Sequence, residues 1–332
     1  MIVTVTPNPS IDLTLELAEL RRGTVHRATG RHVEPSGKGV NVTRALAANG
    51  VASLAVLPVG GSEGLELADL LRAEGVAFRS VPIAEPVRVN VSLTEPGGLV
   101  TKVNELGPRL SAAEATALLA AVAEVAREAA WVVGAGSLPQ GVPDDFYARL
   151  SAQVTAAGSR FALDTSGPAL RAGVAGGPDL VKPNAEELAA ATGRALHTLA
   201  DVVAAARELC AAGARAVLAS LGPDGALLVT PTAVAHAEAP VGHPRSTVGA
   251  GDALLAGFLS TVGSGGAGAS DGEALREAVA WASTAVRSQG SSVTPVTAAD
   301  RAAVRLTDLT GRFGDRDDGS RPLRHRARPA VP

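Results

Sequence analysis

Residues 247–258 read TVGAGDALLAGF and place one carboxylate directly after three small residues, at the start of a predicted helix. The small residues Gly249, Ala250 and Gly251 let a ligand approach the backbone closely, and Asp252 follows on the first helical turn. A helix amino terminus carries unpaired N–H groups and a partial positive charge, which together attract an anion. Asp252 would then accept a proton from an attacking hydroxyl. The stretch predicts a phosphoryl-transfer centre or an ordinary glycine turn, because aspartate is common near helix starts.

A second glycine-rich stretch, SGKGVN at residues 36–41, also precedes a predicted helix. Neither the P-loop pattern nor the dinucleotide pattern G-x-G-x-x-G occurs in it. Gly37 and Lys38 suit a close approach to a polyol, whose hydroxyls Asn41 would bind, and a flexible turn is the alternative. Asp12, in TPNPSID after the first predicted strand, is a further candidate for binding sugar hydroxyls, or else a loop residue.

Three later stretches carry groups suited to phosphate, metal or sugar binding. Asn184 and Glu187 lie three residues apart on a predicted helix, so they share a face, and such oxygen ligands suit Mg²⁺ held through water. A proline-started helix with an acidic first turn is the alternative. SLGPDG, residues 220–225, is a nucleotide-facing loop or a plain hairpin connection. GAGSLP, residues 134–139, follows a predicted strand, where the loops of parallel sheets line the ligand crevice.

Composition excludes several classes of protein. The chain has 332 residues, of which 46% are hydrophobic and 19% charged, which indicates a globular protein of one large or two smaller domains. A net charge of −3 and 2% aromatic residues argue against partners such as nucleic acid or an anionic membrane. The single cysteine, Cys210, suits a reducing compartment, and neither a signal peptide nor a membrane span is recognisable. We therefore expect a cytoplasmic protein.

Short apolar runs alternate with longer helical patterns along the chain. This order predicts an α/β fold with a central, mostly parallel sheet covered by helices on both faces. The predicted strands are 2–5, 54–57, 131–133, 160–163, 179–181, 216–219 and 226–229. The predicted helices are 39–48, 64–73, 112–128, 144–157, 185–191, 199–211, 251–259 and 273–288.

Two segments, 12–34 and 88–104, alternate polar and apolar residues instead, and the second turns at EPGG in the manner of a hairpin. Together they predict a small second sheet, which needs a ligand or another subunit to cover it. The glycine- and serine-rich residues 263–272 predict a flexible connection. The polar, arginine-rich tail 312–332 predicts disorder.

The order of these motifs resembles the PfkB (ribokinase-like) family of carbohydrate kinases over roughly residues 1–300. TVGAGD and the G-x-G-x-N element match the two family signatures, although Ser36 replaces the first of the usual two glycines. TPNPSIDLT, TKVNE, AGSLP, DTSGPAL, KPNAEEL and SLGPDGA are similar to the hexose-phosphate branch of the family. The resemblance implies a ribokinase-like core at residues 1–311, with a β-sheet lid whose strands lie within 12–34 and 88–104.

The resemblance also implies a reaction and roles for the candidate residues. The expected reaction is phosphorylation of fructose 1-phosphate at its 6-hydroxyl by ATP with Mg²⁺, which gives fructose 1,6-bisphosphate. Asp252 would be the base, and the N–H groups of Gly249, Ala250 and Gly251 would form the anion hole. The sugar phosphate would be bound by Asp12, Gly37, Lys38, Asn41 and Ser137, together with Arg27 and Arg88, which fall in the predicted lid strands at positions that resemble phosphate-binding arginines. ATP would be bound by Lys182, Asn184, Glu187, Ser220, Gly222 and Gly225, with Mg²⁺ held by Asn184 and Glu187 through water.

Other functions remain open from the sequence. Within the family the substrate would be tagatose 6-phosphate, fructose 6-phosphate, or an unphosphorylated sugar or nucleoside, although Arg27, Lys38 and Arg88 argue against an unphosphorylated one. A non-catalytic sugar-phosphate-binding regulator is the alternative from another class, but it would not need Asp252. A dinucleotide-dependent oxidoreductase would need G-x-G-x-x-G after the first strand, where TPNPSID stands. A homodimer through the lid sheet is expected as well.

Overall fold

Strands and helices alternate along the chain in the predicted order. The computed structural model describes residues 1–242, 244–263, 270–288, 294–312 and 321–327, the last with side chains as far as Arg324. The strands are β1 Ile2–Val5, β2 Ser10–Glu16, β3 Gly30–Ser36, β4 Ser53–Val59, β5 Phe78–Pro82, β6 Arg88–Thr94, β7 Val100–Asn104, β8 Trp131–Ala135, β9 Arg160–Asp164, β10 Leu180–Val181, β11 Leu196–Thr198, β12 Val217–Ser220, β13 Ala226–Val229, β14 Val234–Glu238, β15 Arg305–Asp308 and β16 Pro322–Ala327. The helices are α1 Lys38–Ala48, α2 Gly61–Ala73, α3 Ala112–Ala126, α4 Phe146–Ala156, α5 Gly167–Ala175, α6 Ala185–Thr192, α7 Leu199–Ala211, α8 Ala250–Val262, α9 Asp271–Val286 and α10 Ala298–Ala302.

The main sheet has the strand order β15-β14-β13-β12-β10-β9-β8-β1-β4-β5. The strands from β12 to β5 are parallel. β13, β14 and β15 extend the sheet with antiparallel pairing. β1 lies in the middle, where Val3 pairs with Leu54 on one side and with Val132 on the other. Apolar runs such as IVTV and WVVGA form these strands because both faces of the sheet are buried.

Helices cover both faces of the main sheet. Val3 and Val132 belong to a buried cluster with residues of α3 to α7. The neighbouring strand residues Ile2 and Trp131 belong to a second buried cluster, with residues of α1, α8 and α9. Successive strand residues point to opposite faces, so the two clusters are the two cores of the layered fold. The predicted α/β fold with a mostly parallel sheet between helices is confirmed.

The lid is a separate sheet with the strand order β3-β2-β6-β7. β2 and β6 are parallel, whereas β3 and β7 pair antiparallel on the two edges, and the predicted hairpin within 88–104 is confirmed as β6 and β7. Ile11 and Val87 form a buried cluster with Leu67 and Leu71 of α2, which anchors the base of the lid to the core. Asp12 lies within β2 rather than in a loop.

Two expectations from the sequence were wrong. Arg27 does not lie in a lid strand, because β2 ends at Glu16 and β3 begins only at Gly30, and Arg27 is exposed in the connection. The tail 312–332 is not wholly disordered, because residues 322–327 form β16 and pair antiparallel with β11. Leu323 is buried there, so this strand contributes one apolar side chain to the core. Most of the predicted flexible connection, residues 264–269, and the tail residues 313–320 and 328–332 lie outside the described residues.

Candidate active site

The amino terminus of α8 forms the centre of the candidate site. Gly249 precedes the helix with a φ of 76°, in the left-handed region that glycine adopts without strain. Asp252 follows in the first turn and is buried. A Cβ atom on Gly251 would lie 3.3 Å from Nζ of Lys182, so the start of the helix lies beside an ammonium group. The positive end of a helix and a lysine therefore meet at one point, as binding of an anion requires.

Asp252 has the surroundings of a general base. Burial raises its pKa, and the negative charge of Asp164 raises it further, to about 6, although a hydrogen bond from Asn41 acts in the opposite direction. Nδ2 of Asn41 donates that bond to Oδ2 of Asp252 over 2.8 Å. A carboxylate with a pKa close to neutrality is a stronger base than an exposed one and is still largely ionised at pH 7.

Asp164, at the end of β9, is a fully buried carboxylate between two lysines. Its Oδ1 accepts a hydrogen bond from Nζ of Lys38 at 2.7 Å, and its Oδ2 lies 3.1 Å from Nζ of Lys182. Burial by itself would raise the pKa of Asp164, but the charges of Lys182 and Lys38 outweigh it and hold the pKa below its usual value. Sequence reasoning gave Asp164 no role, although a carboxylate at the carboxyl end of a parallel strand was a signal for one.

Lys38 connects Asp164 to the start of α6. Its Nζ also donates to Oε1 of Glu187 at 3.1 Å. Burial by itself would lower the pKa of Lys38, but the negative charges of Asp164 and Glu187 outweigh this effect and raise that pKa above its usual value. Asn184 and Glu187 form a capping box: Oδ1 of Asn184 accepts from the N–H of Glu187, and the Glu187 carboxylate accepts from the N–H of Asn184. The predicted pair is thus close together, with Asn184 holding Glu187 towards Lys38.

The glycines beside Lys38 are required by packing. Gly37 has a φ of 124°, and a Cβ atom there would lie 2.7 Å from Cγ2 of Thr6. A Cβ atom on Gly39 would overlap Oγ1 of Thr6. The loop therefore lies directly against the chain that leaves β1, and this contact fixes where α1, with Lys38 and Asn41, begins.

The lid and the loop after β8 provide the predicted sugar side. Oδ1 of Asp12 accepts hydrogen bonds from Oγ of Ser10 and from Nδ2 of Asn90, each at 3.0 Å. Oγ of Ser137 accepts from Nδ2 of Asn8 at 3.2 Å. Asn8 and Asn90 were not predicted, because single asparagines in a loop and a strand give no spacing signal. The β2–β6 pairing places Asp12 opposite Asn90, and it is this register that assembles the side chains.

Arg88 is half-buried at the base of the lid. Its guanidinium donates to the carbonyl oxygens of Asn8 and Glu105, each over 3.1 Å. Burial lowers the pKa of Arg88, while the charges of Asp12 and Glu105 counteract this. Arg88 is therefore held in place beside Asp12, whereas Arg27 is exposed in the connection between β2 and β3 and no described contact holds it in the site.

Several buried polar atoms around these residues have no hydrogen-bond partner. Within the described chain, the atoms of this kind near the site are Oγ1 of Thr6, Oδ1 of Asn8, Oδ1 of Asn41, Nε of Arg88 and Oδ1 of Asn90. Leaving a buried polar group unsatisfied costs about 1–3 kcal/mol, so such groups are normally rare. Their concentration between the lid and α8 fits a ligand rich in hydroxyl and phosphate groups.

The turn after β12 lies next to the start of α6. The N–H of Ser220 donates to the carbonyl oxygen of Pro183 at 3.0 Å, which joins the two predicted nucleotide-binding segments. Gly222 and Gly225 have φ values of 58° and 83°. A Cβ atom on Gly225 would overlap the carbonyl oxygen of Ala237, so this glycine allows the turn to pack on β14.

Residues 5–298 match the model of the pfkB family carbohydrate kinases. The chain belongs to this family. It is 40% identical to a 1-phosphofructokinase of Haloferax volcanii over 294 aligned residues, and the alignment covers 88% of this chain and 93% of the relative. It is also 40% identical to a 1-phosphofructokinase of Xanthomonas campestris over 267 aligned residues, and this alignment covers 78% of this chain and 83% of the relative. The crystal structure of phosphofructokinase-2 from Escherichia coli in complex with potassium superposes with a TM-score of 0.84 at 33% identity, covering 91% of this chain and 96% of that one.

The residues of this pfkB family kinase fit a magnesium ion that arrives with a nucleotide. In the part of the chain that the structure describes, no group of three or more histidine, cysteine, aspartate or glutamate side chains could hold a metal ion. Oε1 of Glu187 accepts from Nζ of Lys38, and its Oε2 accepts from the N–H of Asn184. Oδ1 of Asn184 accepts the N–H of Glu187, so a contact of either side chain with the ion would run through water. Mg²⁺ commonly takes one or two carboxylates together with phosphates and water, and Glu187 meets that need. Among the described helices none is long and apolar enough to cross a membrane.

Proposed function

We propose that this chain is an ATP- and Mg²⁺-dependent kinase that phosphorylates fructose 1-phosphate at its 6-hydroxyl, in the cytoplasm, and yields fructose 1,6-bisphosphate and ADP. One observation carries the proposal: Asp252 is a buried carboxylate with a pKa of about 6, on the first turn of a helix whose N–H groups lie beside Lys182. The names of the two relatives at 40% identity support fructose 1-phosphate as the substrate.

The proposed transfer needs one base and one anion site. The 6-oxygen of the sugar attacks the γ-phosphorus of ATP, the bond from that phosphorus to the bridging oxygen of ADP breaks, and Asp252 takes the hydroxyl proton. The N–H groups of Gly249, Ala250 and Gly251 stabilise the charge on the transferring group, and Lys182 adds a positive charge beside them. Asn41 holds the carboxylate of Asp252 through its 2.8 Å hydrogen bond, besides its predicted contact with the sugar.

The lid side holds the sugar phosphate in this proposal. Asp12, Asn41 and Ser137 bind hydroxyls beside Gly37, and the unpartnered amide oxygens of Asn8, Asn41 and Asn90 are free to accept from them. Arg88 binds the phosphate already present on the sugar, and Arg27 would reach it from the connection between β2 and β3. Lys38 lies between Asp164 and Glu187, on the nucleotide side, so we assign it to the phosphate in transfer rather than to the resident one.

The nucleotide binds along the loops that follow β10 and β12. Lys182, Asn184 and Glu187 lie at the first loop, and Ser220, Gly222 and Gly225 form the turn at the second. Glu187 holds Mg²⁺ through water, and the backbone N–H of Asn184 orients its carboxylate by donating to Oε2. The ion neutralises charge on the ATP phosphates when it is bound.

A homodimer through the lid is part of the proposal. The lid hairpin and the residues just after it expose apolar side chains that the rest of the described chain leaves uncovered, namely Leu99, Val100, Val103 and Leu106. A second copy of the same lid would bury them. Light scattering should show a dimer for the native chain and a monomer for Val103→Asp. A native chain that is monomeric at micromolar concentration would remove this part of the proposal.

The test of the function is ADP release by the purified chain with ATP and Mg²⁺. The panel contains fructose 1-phosphate, fructose 6-phosphate, tagatose 6-phosphate, fructose and ribose, and Asp252→Asn serves as the matched control. We expect turnover of fructose 1-phosphate, with phosphorus NMR showing fructose 1,6-bisphosphate, and a loss of at least about 10²-fold in the control. Turnover of another sugar would retain the mechanism and change the substrate. Binding of sugar phosphate without any turnover would identify a regulator instead.

A further inference from the structure

We propose that strand β16 is a positioning element of the nucleotide site, which holds the turn Leu221–Gly225 in the shape that binds ATP. The inference rests on the proposed function, because it takes that turn to face ATP. β16 comprises Pro322–Ala327 and follows the residues 5–298 that match the family model, so membership of the family does not predict it.

The backbone of β16 is docked on the chain that leaves α6. β16 pairs antiparallel with β11, with Pro322 opposite Thr198. The buried side chain of Leu323 belongs to the same hydrophobic cluster as Leu196 and as Leu221 in the turn itself. β16 is therefore packed into the core that underlies the predicted nucleotide loops.

Asp224 is the side chain of the turn that β16 contacts most directly. It is 2% exposed, and its Oδ2 accepts a hydrogen bond from the N–H of Arg324 at 2.7 Å. Nε of Arg324 lies 3.6 Å from Oδ1 of the same carboxylate. A buried carboxylate needs hydrogen-bond donors and a counter-charge, and β16 provides both to Asp224.

The opposite side of the turn rests on β14. Nε2 of His236 donates to the carbonyl oxygen of Asp224 over 2.7 Å. Gly225 packs so closely on Ala237 that a Cβ atom would overlap its carbonyl oxygen. The turn is thus held between β14 on one side and β16 on the other.

A second ionic contact ties β16 to β14. Nη2 of Arg321 lies 2.6 Å from Oε2 of Glu238. This hydrogen bond lowers the pKa of Glu238 from its usual value to about 2, with a smaller contribution from Arg305. Arg321 immediately precedes β16, so the strand is anchored at its start as well as at Arg324.

Loss of β16 would affect ATP more than the sugar. Asp224 would lose both its N–H donor and its arginine, and a buried carboxylate without donor or counter-charge would force the turn to rearrange. Asp12 and Arg88, on the sugar side, belong to the lid sheet, which β16 does not join. The expected signature is a higher KM for ATP with little change in the KM for the sugar phosphate or in kcat.

The experiment compares the full chain with a chain that ends at residue 320 and with a matched control that ends at residue 327. We expect the KM for ATP to be about tenfold higher in the shorter chain, because one buried charge-assisted contact is lost. The KM for the sugar phosphate and kcat should stay within about twofold of the full chain. The control should match the full chain. Arg324→Ala, which keeps the backbone N–H of the strand, should raise the ATP KM about threefold, and Arg324→Lys should restore part of it.

Hydrogen exchange gives a readout that does not depend on turnover. The amides of Leu221 and Gly225 donate within the turn, to the carbonyl oxygens of Gly225 and Gly222, and should exchange faster in the shorter chain than in the control. An unchanged ATP KM and unchanged exchange in a folded shorter chain would overturn the proposal. A fall in kcat together with an equal rise in both KM values would overturn it as well. Should the shorter chain not fold, an unchanged ATP KM in Arg324→Ala overturns it. If the full chain turns over no sugar, the proposed function fails, and the exchange of these amides still decides whether β16 holds the turn.

Discussion

Lys38 donates a hydrogen bond to Asp164 over 2.7 Å, although 126 residues separate the two in the chain. The same carboxylate lies 3.1 Å from Lys182, so one fully buried anion fixes two ammonium groups. One of them contacts Glu187 and the other lies beside the start of α8. The positive charges of the candidate site are therefore placed by a residue that need not contact a substrate.

Asp164→Asn should destabilise the protein. The substitution leaves two ammonium groups without their shared anion, and breaking a buried ion pair in this way costs about 3–5 kcal/mol. We expect the free energy of unfolding, measured with urea, to fall by about 3 kcal/mol. Asp69→Asn is the matched control, because Asp69 and Arg72 form an ion pair on the exposed face of α2 and such pairs contribute less than about 1 kcal/mol. Equal losses in the two variants would contradict the assigned role of Asp164.

The activity should fall on the acidic side of neutrality. Asp252 acts as a base only when it is ionised, and burial and the charge of Asp164 raise its pKa to about 6. We expect kcat/KM to be constant above about pH 7 and to decrease as the pH falls through 6. In Asp164→Asn the acidic limb should move to lower pH, because one of the charges that raises the pKa is gone. A limb that stays at the same pH in that variant would show that Asp164 does not act on Asp252.

Arg88→Ala should weaken binding of the sugar phosphate selectively. Its guanidinium is held by the carbonyl oxygens of Asn8 and Glu105, so it presents a fixed charge at the base of the lid. Loss of a charge-assisted contact to a phosphate should raise the KM for fructose 1-phosphate at least about tenfold and leave the KM for ATP unchanged. Arg31, exposed on β3, is the control, and Arg27→Ala tests the second predicted arginine. An effect of Arg88→Ala on both KM values alike would point to a structural role instead.

Two glycines of one turn should differ in their tolerance of alanine. Both have positive φ, but a Cβ atom on Gly222 would meet open space, whereas one on Gly225 would overlap the carbonyl oxygen of Ala237. Gly222→Ala should lower the free energy of unfolding by about 1–2 kcal/mol, the cost of the left-handed conformation. Gly225→Ala should cost at least about 2 kcal/mol more, because backbone must also move. Thermal and urea unfolding of the two variants measure the difference directly.

The sequence predicted the centre of the main sheet because strands such as β1, β8 and β13 are almost wholly apolar and are separated by longer helical patterns. β1 and β13 were placed to the residue, and the helix α7 likewise. β14, β15 and β16 were missed because their sequences, VAHAE, RLTD and PLRHRA, mix charged or polar residues with apolar ones. Their pairing depends on partners that are distant in the chain, such as β11 for β16. The composition of the arginine-rich tail predicted disorder. Composition gives no information on distant partners, here the buried site that Leu323 occupies and the carboxylate of Asp224 that accepts from Arg324.

The residues of the candidate site that belong to a local sequence motif could be predicted. Those that only the fold brings together could not. TVGAGD located Asp252, and K-P-N-A-E-E located the capping box of Asn184 and Glu187. The contact of Asn41 with Asp252 joins residues 211 positions apart, so no local pattern indicates it. Asp164 and Asn90 are single polar residues at the end and in the middle of strands. The packing of α1 beside β9 brings Asp164 to Lys38, and the register of β2 on β6 brings Asn90 to Asp12.

The central position of β1 sets the order in which the sheet can be completed during synthesis on the ribosome. β1 leaves the ribosome first, and its first neighbour in the chain, β4, ends at Val59. Its other neighbour, β8, ends only at Ala135, so the apolar IVTV strand keeps one unpaired edge while the lid strands β6 and β7 and the helix α3 are being made. Such an edge invites pairing with other chains. The sheet therefore has a high contact order at its centre, and its folding nucleus should form late, around the arrival of β8.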